Sequence, residues 1–179
     1  MTVRISLFLA VALVVTACNP TVQFDEPMPP SRWNLPNIPK AYRGTLLDRD
    51  GEVDIVIGKD TIRTQTETLV NGEDFLLRRM ASHLVLSQPV AETGQWEVIV
   101  LRKEGDEMVL GVFEDDDRLL RRMGTLLEVD PERLKAPGTP GYRYSLLRPT
   151  AKEFKVLLKE QLYEADDPVP LPRGGTVKP

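Results

Sequence analysis

In four stretches of this chain apolar residues recur with a period of two. Val53, Ile55 and Ile57 alternate around Asp54, and Trp96, Val98 and Val100 around Glu97. Met108, Leu110 and Val112 form a third set, and Tyr142, Tyr144 and Leu146 a fourth. Successive side chains of a strand point to opposite faces, so each set lines one face of a half-buried strand. Tight-turn signals separate the runs: Asp50-Gly51, Gly58-Lys59-Asp60, Asn71-Gly72 and Glu104-Gly105-Asp106. The pattern predicts a mainly β fold, an antiparallel meander of about eight strands. Such a meander closes into a small lipocalin-like barrel or stays open as a curved sheet.

One more element is expected, a C-terminal amphipathic helix over 150–163. Thr150 and Glu153 have the spacing of a capping box, and Pro149 precedes them. Phe154, Leu157, Leu158, Gln161 and Leu162 follow at i, i+3, i+4, i+7 and i+8, mostly apolar and on one helical face. A repeat also stands out. Leu76-Leu-Arg-Arg-Met80 recurs as Leu119-Leu-Arg-Arg-Met123, and at the same offset Gly51–Ile57 falls on Gly94–Val100. Read as a duplication of 51–87 in 94–130, each unit would be strand, turn, strand, a short helical turn holding the Leu-Leu-Arg-Arg-Met, then a strand. Both arginine pairs are then expected to point outward.

The β domain is expected over 41–163. Asn19 to Lys40 holds six of the chain's fifteen prolines, a composition that disfavours helix and interior strand and reads as a semi-rigid tether. Phe24, Trp33, Leu35 and Ile38 are more apolar than a spacer needs, so its second half is expected to rest on the domain. Residues 164–179, with four prolines and Gly174-Gly175, read as a disordered tail.

At the other end, Arg4 precedes an apolar run from Ile5 to Val15 interrupted only by Ser6. Eleven residues are too few to cross a bilayer as a helix, which takes about 20, but have the length of a signal-peptide core. The run leads into Val15-Thr16-Ala17-Cys18, which resembles the lipobox of bacterial lipoproteins. That resemblance implies a signal peptide over 1–17, cleavage before Cys18, and acyl chains on the Cys18 thiol and the new amino terminus. The residue after the cysteine is Asn19, not the aspartate of inner-membrane retention, which points to the outer membrane. A second resemblance runs through Phe24-x-x-Pro27-x-Pro29, Leu35-x-x-Ile38-Pro39-x-x-Tyr42-x-Gly44, Trp96-Glu97-Val98 and Pro149-Thr150-x-x-Glu153-Phe154. Together these are similar to small uncharacterised envelope lipoproteins of Bacteroidetes-type bacteria, a resemblance that implies domain limits and no chemistry.

Chemistry-bearing residues are sparse. One cysteine excludes a disulfide framework, and one histidine leaves little for acid–base or metal chemistry near neutral pH. A formal charge of −4 gives no basic face for nucleic acid. Asp48-Arg-Asp50-Gly51-Glu52-Val-Asp54 lacks the spacing of a calcium loop and reads as a hairpin turn. Glu114-Asp-Asp-Asp117 fits the acidic first turn of a helix. His83 stands next to Ser82 without a nucleophile elbow, and reads as a strand-end histidine. Arg78-Arg79 and Arg121-Arg122 read as solvated faces that two similar basic patches would share, and Trp96 as core. These readings lead to a lipid-anchored envelope protein that is not an enzyme, with no catalytic, cofactor or metal residues and Cys18 as its one modified position. It would be a structural or protein-interaction lipoprotein at the periplasmic face of the outer membrane or at the cell surface. The partners expected are the membrane and an envelope protein. A lipocalin-like carrier of a small apolar ligand is the alternative.

Overall fold

A computed structural model describes residues 21–47, 53–127, 132–135, 143–165 and 168–170. The apolar run Ile5–Val15, Cys18, the turn expected at Asp50-Gly51, Tyr142 and the last nine residues lie outside them. The architecture is mainly β and antiparallel, in two sheets that leave open edges and do not close into a barrel. Of the two forms the alternation allowed, the curved open sheet is the one adopted.

The larger sheet is built on the hairpin of β7 (His83–Val90) and β8 (Gln95–Glu104); β6 (Leu76–Met80) pairs with β7 and forms one edge. The other side of β8 is shared between β9 (Glu107–Val112), paired from Ile99 to Glu104, and β1 (Thr21–Phe24), paired at Phe24–Trp96. β1 then runs parallel to β11 (Arg143–Leu147), which carries β10 (Glu132–Lys135). The smaller sheet is an antiparallel meander of β2 (Gly44–Leu47), β3 (Val53–Ile57), β4 (Thr61–Arg63) and β5 (Thr68–Val70). The expected β8–β9 turn is present: Glu104 pairs with Glu107 across Gly105-Asp106, and Gly105 takes a φ of 60° that suits glycine.

The central strands β7 and β8 of the larger sheet are covered on both faces. Val85, Val98 and Val100 pack with Leu120, Met123, Phe154 and Leu157 of the helices on one side. Leu84, Leu86, Ile99 and Leu101 pack with Ile55, Ile57, Ile62 and Leu69 of the smaller sheet on the other. Central strands covered on both faces read as continuous apolar runs, which is why Leu84-Val-Leu86 and Val98-Ile-Val-Leu101 do not alternate. The smaller sheet is covered on one side. There Ile55 and Ile57 are buried, as the alternation predicted, whereas Val53, at the start of the strand, is half exposed against that expectation.

Helix α1 (Asp117–Leu127) is capped by Asp116, whose Oδ1 accepts from the amides of Arg118 at 2.8 Å and Leu119 at 2.9 Å. The acidic run is therefore a helix start, as its composition indicated. Helix α2 (Ala151–Lys159) has both halves of the expected capping box: Thr150 Oγ1 accepts from the Glu153 amide at 3.3 Å, and the Glu153 carboxylate accepts from the Thr150 amide at 2.7 Å. It is shorter than the apolar stripe implied. Gln161 turns left-handed at φ 50°, donating to the Leu158 carbonyl while Leu162 donates to that of Leu157. That is a Schellman closure, and it delivers Leu162 into the core although the helix has ended.

Three expectations are corrected. The tether does not extend to Lys40. Thr21–Phe24 is an interior strand, and five of the six prolines fall after it, in a strap that packs on the domain. Phe24 and Ile38 are buried and Leu35 is half-buried, but Trp33 is 92% exposed at the tip of that strap. The repeated pentapeptide is strand β6 in one copy and part of α1 in the other, so the 43-residue offset is not a structural repeat. Context decides: Leu76–Met80 finds a partner strand across a two-residue turn, whereas Leu119–Met123 follows the Asp116 cap. The tail does not leave the domain at 164. Glu164–Ala165 (β12) and Val169–Pro170 (β13) both pair antiparallel with β9.

Candidate functional site

Polar and titratable groups converge at one place, on the helix side of the larger sheet. His83 opens β7 directly after the Ala81-Ser82 turn and stands opposite Arg102 of β8. Tyr163 arrives from the Schellman turn after α2, and its ring lies over Gly111 of β9. Its hydroxyl is 3.4 Å from His83 Nε2, and the two rings meet edge to face at 6.3 Å. Arg102 pairs with Glu104 two residues along the same strand. His83 and Tyr163 are 6% and 4% exposed, so the contact is closed to solvent.

Burial pushes the His83 imidazole below its ordinary value, and the Arg102 guanidinium pushes in the same direction. Burial raises the Tyr163 phenol; Arg102 opposes that shift and Glu104 adds to it. Both groups are therefore neutral at pH 7, and their contact is a neutral hydrogen bond worth about 1 kcal/mol. His83 Nδ1 and Arg102 Nε make no hydrogen bond to protein among the described residues. The arrangement fastens the chain after α2 to the sheet. It pairs His83 with a tyrosine, whereas Ser82 lies exposed in the turn with its carbonyl accepting from Tyr42 Oη at 3.2 Å.

A histidine whose folded value is depressed binds its proton more tightly in the unfolded chain. Its contribution is complete above the unfolded value of about 6.5 and is lost as pH falls below it. Denaturant melts between pH 7.5 and 5 should show stability falling toward acid, by at most about 1.4 kcal/mol per pH unit for one proton. His83→Gln should flatten that interval, and an unchanged slope in the variant would assign the proton elsewhere.

The other singled-out residues separate. Arg78 does not point outward: it donates from Nε to Asn34 Oδ1 at 2.8 Å, from Nη1 to the Pro29 carbonyl at 2.9 Å, and to the Pro27 carbonyl. It braces the strap that presents Trp33. Arg79, Arg121 and Arg122 are exposed, on β6 and α1 respectively. Asp54 lies on β3, whereas Asp48 to Glu52 are outside the described residues. Trp96 is half-buried against the helix-side core. Among the described residues no group of three or more His, Cys, Asp or Glu is placed to hold a metal ion, and no helix is long and apolar enough to cross a membrane. Tyr163 and Arg102 escaped sequence reasoning, because no local signal links residue 163 to residue 83. No family model matches the chain, and no curated protein or solved structure is similar to it.

Proposed function

We propose that this chain is a lipid-anchored cell-envelope protein with a non-catalytic, structural or protein-interaction role. Acyl chains on Cys18 hold it at the outer membrane, at the periplasmic face or the cell surface. The observation that carries the reading is positional: the chain's one cysteine follows an eleven-residue apolar run and completes Val15-Thr-Ala-Cys18. Two or more acyl chains make such an anchor stable where one alone is marginal. The protein-interaction role has its own support in Trp33, exposed on a strap that Arg78 braces from inside. Exposed, rigidly held aromatics serve as anchors at protein interfaces. The carrier alternative needs an enclosed interior, and the central strands of the open sheet are covered on both faces.

Cys18→Ala should leave an unprocessed precursor that takes up no labelled fatty acid. Full-length wild type should run at the mature size and carry the label. A membrane-bound product of mature size from the variant would overturn the reading.

A further inference from the structure

We infer that the anchored domain lies flush against the bilayer, which is itself the partner of the surface around the start of β1. The inference rests on the acylation of Cys18 proposed above. A tether running to Lys40 would let the domain stand tens of ångströms away, at about 3 Å per residue. The fold removes that freedom. β1 begins at Thr21, so three residue steps separate the lipid-bearing position from a strand fixed between β8 and β11. Fully extended, three steps reach about 10 Å. The headgroup layer on one side of a bilayer is itself about 5–8 Å deep, and a domain of this length has a radius of gyration on the order of 15 Å. With a leash shorter than its own radius, the domain can pivot but cannot leave the headgroups.

The surface brought to the lipid is the one surrounding Thr21. The Val22 amide donates to the Phe113 carbonyl at 3.2 Å, which places the Glu114–Asp117 turn and the start of α1 beside the entry point. On the other side Thr21 pairs with Tyr144, and the β10–β11 ladder ends at Lys135–Arg143. Trp33 follows Arg78 on β6, at the far edge of the sheet from β10. A protein partner would therefore meet the strap and the smaller sheet, away from the entry point.

The test uses the full-length acylated protein in phosphatidylcholine–phosphatidylethanolamine vesicles containing a headgroup nitroxide lipid. A fluorophore is attached at Asp115→Cys, or at Arg118→Cys should the first substitution disturb the helix start. Twelve Gly/Ser residues inserted between Pro20 and Thr21 give a companion with a flexible reach of about 19 Å more. The nitroxide should quench the label at least twofold in the parent, and the spacer should abolish most of that quenching. An acylated protein whose label is not quenched would overturn the inference, as would quenching that the spacer leaves unchanged. Mass spectrometry of the amino-terminal peptide separates the two levels. A free Cys18 thiol there would remove the anchor reading itself, and the inference with it.

Discussion

A chain that begins at Ala41, and so lacks the whole proline-rich segment, should not fold. Circular dichroism should show no cooperative melt, whereas a chain beginning at Asn19 should melt in one transition. Among the described residues β1 is the only strand that joins the β10–β11 pair to β8, so its loss detaches two further strands. Phe24 sits among Phe113 and Phe154, with ring centroids 5.2 and 5.8 Å away, and is fully buried. Met28 and Ile38 are also buried, one in each core. At about 1.5–3 kcal/mol for each side chain, burying these three contributes an amount comparable to the whole net stability of a domain, about 5–15 kcal/mol. The single change Phe24→Ala should by itself cost about 3–5 kcal/mol. A cooperative melt from the Ala41 chain near that of the longer one would mean that the segment is an accessory and not part of the sheet.

Proline content misled at this segment because it reports on an average over residues, and folding uses them one at a time. The prolines of 19–40 fall outside Thr21–Phe24, and four residues suffice for a strand when both edges are already supplied. The tail teaches the same lesson. Val169–Pro170 lies at the sheet's outer margin on β9, the kind of place where a residue without an amide hydrogen is tolerated.

What was legible was local. The Thr150–Glu153 capping box, the Asp116 cap and the Gly105 turn are each decided within about four residues, and each appears where the sequence put it. The identical pentapeptides at 76–80 and 119–123 mark where local information stops. Leu, Arg and Met tolerate both helix and strand, and propensity is a weak prior that tertiary context overrides. The same boundary hides the polar contact. His83 was readable as a strand-end residue, but Tyr163 reaches it from 80 positions away through a left-handed Gln161 that no composition rule would place there.

Gly111→Ala should destabilise the protein by about 2–4 kcal/mol, against the usual direction of such a change. In a strand, glycine is ordinarily the costlier residue by about 0.5–1 kcal/mol, so alanine would be expected to help. Here a Cβ would lie 2.2 Å from Tyr163 Cδ2 and 2.6 Å from Cε2, with the Glu164 carbonyl at 3.2 Å. The ring has nowhere to retreat. Phe113 stands edge-on to it at 6.0 Å, His83 holds its hydroxyl, and β12 pins the next two residues to β9 at Val112 and Gly111. Overpacking of this kind costs about 1–3 kcal/mol, and displacing the ring also forfeits the hydrogen bond to His83, about 1 kcal/mol more. Urea melts of four proteins decide it: parent, Gly111→Ala, Tyr163→Ala and the double variant. If the methyl acts through the ring, the double variant should be no less stable than Tyr163→Ala alone, a coupling that additive effects cannot produce. A Gly111→Ala variant as stable as the parent would mean that the ring is free to move. The chain after α2 would then be held by β12 and β13 alone, without the histidine that the sequence marked as merely structural.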